Sequence, residues 1–176
     1  MAEPVLIVAA YDEDLTWVED SPWKTDIVLK GVSMPNEGRE ASSYHHWIAS
    51  EYDRIEGAET YGFVQGNPFA HGIALRNLRE VRRFTPLGTY RVECDWDGLP
   101  HHPGLPLSRL WEKWRISDYK PDRLRFVSGA NFLVPGWSIL SRPRAWYTEM
   151  VREMCTEPEA PWCMERFWPY TWRTGQ

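Results

Sequence analysis

The chain has little cysteine, no long apolar run and no surplus of positive charge, and each absence excludes a class of protein. Its three cysteines, Cys94, Cys155 and Cys163, are too few and too scattered for a disulfide framework, and their spacing matches no zinc motif. No apolar run approaches the roughly 18 residues that a membrane span needs, and residues 1–10 lack a basic region before their short apolar stretch. We therefore expect a cytoplasmic protein without a membrane span.

The net charge of −5 argues against extensive nucleic-acid binding, because an acidic protein repels a phosphate backbone. Positive charge is concentrated in one short stretch, at Arg76, Arg79, Arg82 and Arg83. This stretch is either a local basic patch or the solvated face of a helix.

Tryptophan is abundant, with 11 residues among 176. An indole ring buries a large area, yet its N–H needs a hydrogen-bond partner. We expect most of these rings in the core and two or three lining a site for a saccharide or a nucleotide.

Apolar periodicity predicts a single α/β domain over residues 1–176, with a mostly parallel central sheet flanked by helices. Val5–Ala10 is a continuous apolar run, which is typical of a strand buried on both faces. Further strands are predicted at residues 26–30, 60–64, 124–127 and 131–134. Helices are predicted at residues 15–19, 39–53, 73–84, 107–114, 139–154 and 164–168, with the last ending at Pro169. Residues 86–104 are predicted to be irregular.

The segment of residues 35–71 has the order turn, helix, strand, turn, with polar groups at both turns. In an α/β sheet, ligands bind outside the carboxyl ends of the strands. We therefore expect a polar ligand to contact residues at these turns and after the first strand. The candidate ligand-binding residues are Tyr11, Asp12, Glu13, Asn36, Gly38, Gln65, Asn67 and His71.

Arg39 stands at the start of a predicted helix, which is the unfavourable end of the helix dipole for a cation. Its position therefore requires another explanation, such as an anionic ligand or a buried carboxylate. Glu165 is the candidate general base, because Met164, Phe167 and Trp168 would place it in apolar surroundings. The alternative for Glu165 is an ion pair with Arg166 or Arg39.

Two interpretations of metal use remain open. Asp95 and Asp97 form an Asp-x-Asp triplet that would suit Mn²⁺ or Mg²⁺, although Asp-Gly is also an ordinary turn signal. Alternatively, the chain uses no metal: Gln65 and Asn67 stand at a strand end where an acidic pair could have been, and Arg39 or the arginine-rich stretch neutralises an anionic ligand.

Several motifs resemble a known family in the right order along most of the chain. They are residues 8–17, residues 35–40 with Tyr44, and residues 63–69 with His71, followed by residues 128–134 and 165–168. Together they resemble the domain-of-unknown-function family numbered 3431. That resemblance implies kinship but no reaction.

A second, looser resemblance is to A-type (GT-A) glycosyltransferases. The first strand runs into Tyr11-Asp12-Glu13, and Asn36-Glu37-Gly38-Arg39-Glu40 is similar to the Asn-x-Gly-Arg-Asp element of rhamnan-synthesis-type enzymes. Residues 128–134 and 165–168 look like the acceptor half of such enzymes. The resemblance implies a GT-A-like, Rossmann-related architecture in which Asp12 and Glu13 contact the nucleotide of a nucleotide-sugar donor.

The leading hypothesis is a glycosyltransferase-like enzyme that transfers a sugar to a hydroxyl of an unknown acceptor, which is a saccharide, a small molecule or a modified base. Glu165 and Arg39 would carry the chemistry. One alternative is a metal-dependent hydrolase that uses Asp95, Asp97, His101 and His102. The other is a non-catalytic saccharide-binding module that uses the tryptophans.

Overall fold

The computed structural model describes residues 4–75 and 78–172, and its centre is a five-stranded sheet. The strands are β1 (Val5–Ala10), β2 (Thr25–Leu29), β3 (Thr60–Gln65), β4 (Thr85–Pro86), β5 (Arg91–Cys94), β6 (Leu124–Val127) and β7 (Phe132–Pro135). The central sheet has the order β2-β1-β3-β7-β4. Strand β1 is parallel to β2 and β3, and β7 is antiparallel to β3 and β4. The predicted mixed α/β fold with a mostly parallel sheet is confirmed.

Strands β5 and β6 form a separate antiparallel pair, against which the last helix packs. The helices are α1 (Thr16–Glu19), α2 (Arg39–Glu51), α3 (Leu107–Trp114), α4 (Gly136–Ile139), α5 (Arg144–Thr156) and α6 (Ala160–Thr171). Short 3₁₀ helices occupy Tyr52–Arg54 and Pro68–His71. Within residues 4–75 and 78–172, no helix combines the length and apolar character that a membrane crossing requires.

Strand β1 is buried along its whole length because it contributes to two apolar layers. Alternate residues of a strand point to opposite faces of the sheet. Val5, Ile7 and Ala9 belong to the larger core on the side of α2, α5 and α6, whereas Leu6 and Val8 belong to a smaller core on the other face. This explains the unbroken apolar run in the sequence.

The helix predicted at residues 73–84 is wrong, since residues 73–75 and 78–84 contain no α-helix and residues 76 and 77 lie outside the described part. Leu75 and Leu78 are buried on the smaller core, and Val81 packs against it. The backbone N–H of Val81 is bonded to the Thr60 hydroxyl rather than to a helical carbonyl. Leu75, Leu78 and Val81 therefore cover the sheet from an irregular segment, although their three-residue spacing also suits a helix.

Two helix boundaries and one loop differ from the prediction. The helix predicted at residues 139–154 starts later, as α5 after Pro143, whereas α4 ends at Ile139, the first residue of the predicted span. Helix α6 is much longer than the predicted turn and continues past Pro169 to Thr171. Residues 86–104, predicted to be irregular, include strand β5.

Most of the tryptophans pack in the core, as predicted. Five are buried and four more pack against one of the two cores; these nine are Trp17, Trp23, Trp47, Trp96, Trp111, Trp114, Trp146, Trp168 and Trp172. Only Trp137 and Trp162 are exposed, and all eleven lie in the described part of the chain.

Candidate functional site at the carboxyl edge of the sheet

A cleft of about 170 Å³ opens where β3 ends, between the start of α2 and the first turns of α6. We call it the α2–α6 cleft. Its polar and aromatic lining consists of Arg39, Glu40, Gln65, His71, Ser128, Trp162, Glu165 and Trp168. The cleft therefore lies at the sheet edge where the parallel strands end, the usual place for a ligand in an open α/β sheet.

The cleft brings together four of the residues that the sequence singled out, although they are distant in the chain. Arg39, Gln65, His71 and Glu165 all line it. The other predicted site residues do not line it; these are Tyr11, Asp12, Glu13, Asn36, Gly38, Asn67, Asp95 and Asp97.

Arg39 is the first residue of α2, and its guanidinium lies at the surface of the cleft. The group stacks on Trp162 at 4.3 Å from the ring centroid, and its Nε is 3.7 Å from Glu40 Oε2. The side chain remains 51% exposed. Arg39 also has a φ of 50°, a left-handed conformation that costs a residue with a side chain about 1–3 kcal/mol. The surrounding turn must impose this conformation.

The turn before α2 is held by a glycine and a buried lysine. Gly38 has a φ of 70°, and an added Cβ would lie 2.7 Å from Ser42 Cβ and 2.9 Å from the Met154 carbonyl oxygen. The Glu37 carbonyl accepts hydrogen bonds from Lys30 Nζ at 3.3 Å and from the Ser42 hydroxyl at 2.5 Å. Gly38 is thus a conformational requirement of the turn that presents Arg39.

Lys30 follows β2 and is only 8% exposed. Burial lowers the pKa of this lysine, and the neighbouring Glu40 carboxylate partly offsets that effect. The lysine ties the end of β2 to the turn before α2, because its Nζ donates to the Glu37 carbonyl.

Gln65, at the end of β3, is locked in a hydrogen-bond network. Its Nε2 donates to Glu40 Oε1 at 2.8 Å, and its Oε1 accepts from Asn131 Nδ2 at 3.0 Å. Asn131 Oδ1 in turn accepts from the backbone N–H of Gln65 at 3.0 Å. The network joins α2, β3 and the start of β7, so it fixes both the floor of the cleft and the Glu40 carboxylate.

Glu165 projects from α6 toward the loop that precedes β7. Its Oε1 accepts the backbone N–H of Gly129 at 2.8 Å, and its Oε2 lies 3.5 Å from Arg166 Nη1. The ion pair with Arg166, which was the stated alternative, is therefore present, and the rings of Trp162 and Trp168 line the same cleft. The Glu165 side chain is 20% exposed, so one side of the carboxylate faces the cleft.

The loop that bears Gly129 is anchored from below by a buried tyrosine. The Tyr44 hydroxyl donates to the Ala130 carbonyl at 2.7 Å, and burial raises the pKa of Tyr44 well above its ordinary value. This phenol is therefore a neutral donor that holds the loop against α2.

The acidic loop after β1 lies at the same sheet edge but outside the cleft. Tyr11, Asp12 and Glu13 are exposed, and Glu13 Oε2 accepts the backbone N–H of Tyr11 at 2.6 Å. The Glu13 carboxyl group also lies against Gly66, where an added Cβ would be 2.8 Å away. The loop is thus folded back on the end of β3, beside the cleft.

The remaining predicted residues of this edge have simpler surroundings. Asn67 caps the 3₁₀ helix Pro68–His71, since its Oδ1 accepts the backbone N–H of Ala70 at 3.2 Å. That short helix places the exposed His71 at the cleft. Asn36 is exposed in the turn before α2.

Asp95 and Asp97 form a turn after β5. Asp95 Oδ1 accepts the backbone N–H groups of Asp97 at 3.0 Å and Leu99 at 2.9 Å, as in an ordinary Asp-initiated turn. Within residues 4–75 and 78–172, no group of three or more His, Cys, Asp or Glu side chains is placed to hold a metal ion. The use of Asp95 and Asp97 as metal ligands, and with it Mn²⁺ or Mg²⁺ dependence, stays a prediction.

The two histidines of the loop after β5 have different surroundings. His101 is exposed, whereas the ring of His102 lies 5.3 Å, centroid to centroid, from Trp162. His102 therefore packs against Trp162, which lines the α2–α6 cleft.

The basic stretch is exposed where it is described. Arg79, Arg82 and Arg83 are at the surface and do not line the α2–α6 cleft, and Arg76 lies outside the described residues.

Sequence reasoning missed Trp162, Lys30 and the contribution of Glu40 to the cleft. Trp162 could have been found, because Pro161 is a helix-start signal that places Trp162 one turn before Glu165. Lys30 could have been noticed as a charged residue at the end of a strand.

Comparisons of this chain with protein-family models, with curated proteins and with solved structures found no match. Both resemblances therefore stay predictions that depend on the quoted motifs.

Proposed function

We propose that the chain is a glycosyltransferase-like enzyme with a GT-A-like architecture, which transfers a sugar from a nucleotide-sugar donor to a hydroxyl acceptor. The observation that carries this proposal is the α2–α6 cleft itself. It combines an exposed guanidinium, Arg39, with a carboxylate, Glu165, at the carboxyl edge of a mostly parallel sheet. Sugar transfer requires these two groups: a cation for the leaving diphosphate and a base for the acceptor hydroxyl.

Arg39 is proposed to bind the donor diphosphate. A guanidinium can donate two parallel hydrogen bonds to phosphate oxygens, and half of this side chain is free to do so. Its left-handed backbone supports the assignment, because strain of this kind concentrates at functional sites.

Glu165 is proposed to accept the proton of the acceptor hydroxyl. As that proton moves to the carboxylate, the acceptor oxygen bonds to the anomeric carbon and the bond from that carbon to the phosphate oxygen breaks. The nucleoside diphosphate leaves with the electron pair. The Gly129 N–H holds one Glu165 oxygen in place, which orients the carboxylate before the substrate arrives.

The cleft is too small for a whole nucleotide-sugar, so the donor would contact a second surface as well. About 170 Å³ is well below the roughly 300–1,000 Å³ of pockets that enclose a drug-sized ligand. The cleft therefore cannot enclose a whole nucleotide-sugar and holds only the groups that react. The nucleoside would extend over the exposed loop at Tyr11, Asp12 and Glu13.

A thermal-shift panel of UDP-sugars and GDP-sugars, with and without Mn²⁺, tests the proposal. A ligand that binds the folded state raises the melting temperature by mass action. Stabilisation by at least one nucleotide-sugar is expected. Stabilisation by metal alone would favour a metal-dependent hydrolase. Stabilisation by free saccharides alone would favour a non-catalytic saccharide-binding module.

Two variants assign the roles. Glu165→Gln keeps an oxygen that can accept the Gly129 N–H but cannot take a proton, so we expect donor binding without turnover. Arg39→Ala should weaken donor binding by at least tenfold, because a charge-assisted hydrogen bond contributes about 1.5–3 kcal/mol. Glu159→Gln and Arg79→Ala are matched controls, since neither residue lines the cleft. Full turnover in Glu165→Gln would remove Glu165 from the mechanism.

A further inference from the structure

Trp162 differs from the other ten tryptophans in its surroundings. Nine pack in the cores, and the only other exposed indole in the described chain, Trp137, lies away from the cleft. Trp162 lines the α2–α6 cleft and keeps 36% of its surface exposed, although Arg39 stacks on the ring. Exposure of a large aromatic ring at a polar cleft indicates a ligand with an apolar face.

Polar groups surround the exposed ring. Arg39 lies 4.3 Å from its centroid, the His102 ring is 5.3 Å away, and Ser128 and Glu165 line the same cleft. A pyranose has the complementary shape, because its C–H groups form an apolar face and its hydroxyls form a polar rim. The electron-rich face of indole attracts such C–H groups as it attracts cations.

Helix geometry relates Trp162 to the proposed base. Trp162 and Glu165 are three residues apart in α6, so their side chains are neighbours on one face of the helix. A sugar stacked on Trp162 would present a rim hydroxyl to the Glu165 carboxylate. The next member of this row, Trp168, is buried and closes the cleft from below.

We infer that Trp162 is the stacking platform of an acceptor site, and that the acceptor is a pyranoside. This inference rests on the proposed glycosyl transfer, for which Glu165 supplies the base. A base within a nucleic-acid strand is disfavoured, because the chain carries a net charge of −5.

The test uses the full chain labelled with 5-fluorotryptophan and ¹⁹F NMR, with the Trp162 signal assigned from Trp162→Phe. Methyl glucoside, galactoside, mannoside and rhamnoside, all in the pyranose form, are titrated in turn, with sorbitol as the open-chain control. At least one pyranoside should shift the Trp162 signal saturably, while the Trp137 signal and the sorbitol titration stay unchanged. Trp162→Ala should weaken that binding about tenfold and Trp137→Ala should not.

The outcomes separate this inference from the proposed function. If no pyranoside moved the Trp162 signal while nucleotide-sugars still stabilised the chain, the platform would be overturned and the transferase proposal would stand. A saturable pyranoside shift without any nucleotide-sugar binding would support the platform and contradict transfer. Equal losses of pyranoside affinity in the two alanine variants, or a shift of the Trp162 signal by nucleosides alone, would also overturn the platform.

Discussion

Replacing Gly38 with alanine should destabilise the fold far more than an ordinary surface substitution. The left-handed φ of 70° costs a residue with a Cβ about 1–2 kcal/mol. The new Cβ would also lie 2.7 Å from Ser42 Cβ and 2.9 Å from Met154 Cβ, well inside the contact distance of about 3.5–4.0 Å for two carbon atoms. Overpacking of this kind costs about 1–3 kcal/mol more. The free energy of unfolding should therefore fall by about 2–5 kcal/mol.

Gly72 is the matched control for this substitution. Its φ of 69° is nearly the same, but an added Cβ would meet nothing within 4 Å. Gly72→Ala should therefore lose only the backbone contribution, about 1–2 kcal/mol. Urea denaturation followed by circular dichroism measures both variants. With a slope of about 2 kcal/mol per molar urea, the Gly38→Ala midpoint should fall by about 1–2.5 M and the Gly72→Ala midpoint by about 0.5–1 M.

Equal midpoints for the two variants would contradict this prediction, because the predicted difference depends only on the close packing of Gly38 against α2 and α5. Such a result would mean that the turn before α2 can move away from Met154. It would then no longer be the turn that fixes the backbone of Arg39.

Three further predictions concern the cleft and the helix that carries it. Arg39→Gly should relieve the left-handed strain, so its free energy of unfolding in urea should stay within about 1 kcal/mol of that of the parent chain. The variant should nevertheless lose nucleotide-sugar binding in the thermal-shift panel. Retained binding would contradict the role of Arg39 in binding the donor. Burial lowers the pKa of His45 from 6.5 to about 3, so the unfolded chain binds a proton that the folded chain does not. The contribution of His45 to the free energy of unfolding should be fully present above pH 6.5 and fall by about 3 kcal/mol on acidification to pH 4. His45→Phe should remove this contribution, and His46→Gln should keep it. Asn131→Ala leaves two Gln65 groups without partners and should lower the free energy of unfolding by about 2–3 kcal/mol, and a loss below 0.5 kcal/mol would show that the network does not hold the floor of the cleft.

The central part of the fold could be predicted because its sequence signals are local. The apolar run of β1, the periodicity of α2 and the break after β3 each identify one element, and parallel pairing then places their ends at one edge. The helix predicted at residues 73–84 was wrong because the spacing of Leu75, Leu78 and Val81 also suits an irregular segment lying on a sheet. Periodicity alone does not distinguish a helix from such a covering segment.

The candidate site was predicted only in part, for a similar reason. Arg39 was identified because a cation at a helix start conflicts with the helix dipole, and the structure places it at a cleft. The ion pair of Glu165 with Arg166, the network around Gln65 and the position of Trp162 depend on contacts between distant segments. Asp95 and Asp97 matched a motif, but the motif could not show that Asp95 already binds two turn N–H groups.

A crystal structure of the chain with the nucleoside diphosphate that stabilises it most would show whether the donor binds at the α2–α6 cleft. We predict that the diphosphate contacts the Arg39 guanidinium at the α2–α6 cleft and that the nucleoside lies over residues 11–13. The terminal phosphate, to which the sugar is bonded in the donor, should point toward Glu165. A diphosphate bound at Asp95 and Asp97, or at any site that leaves Arg39 without contact to it, would contradict the proposed donor site.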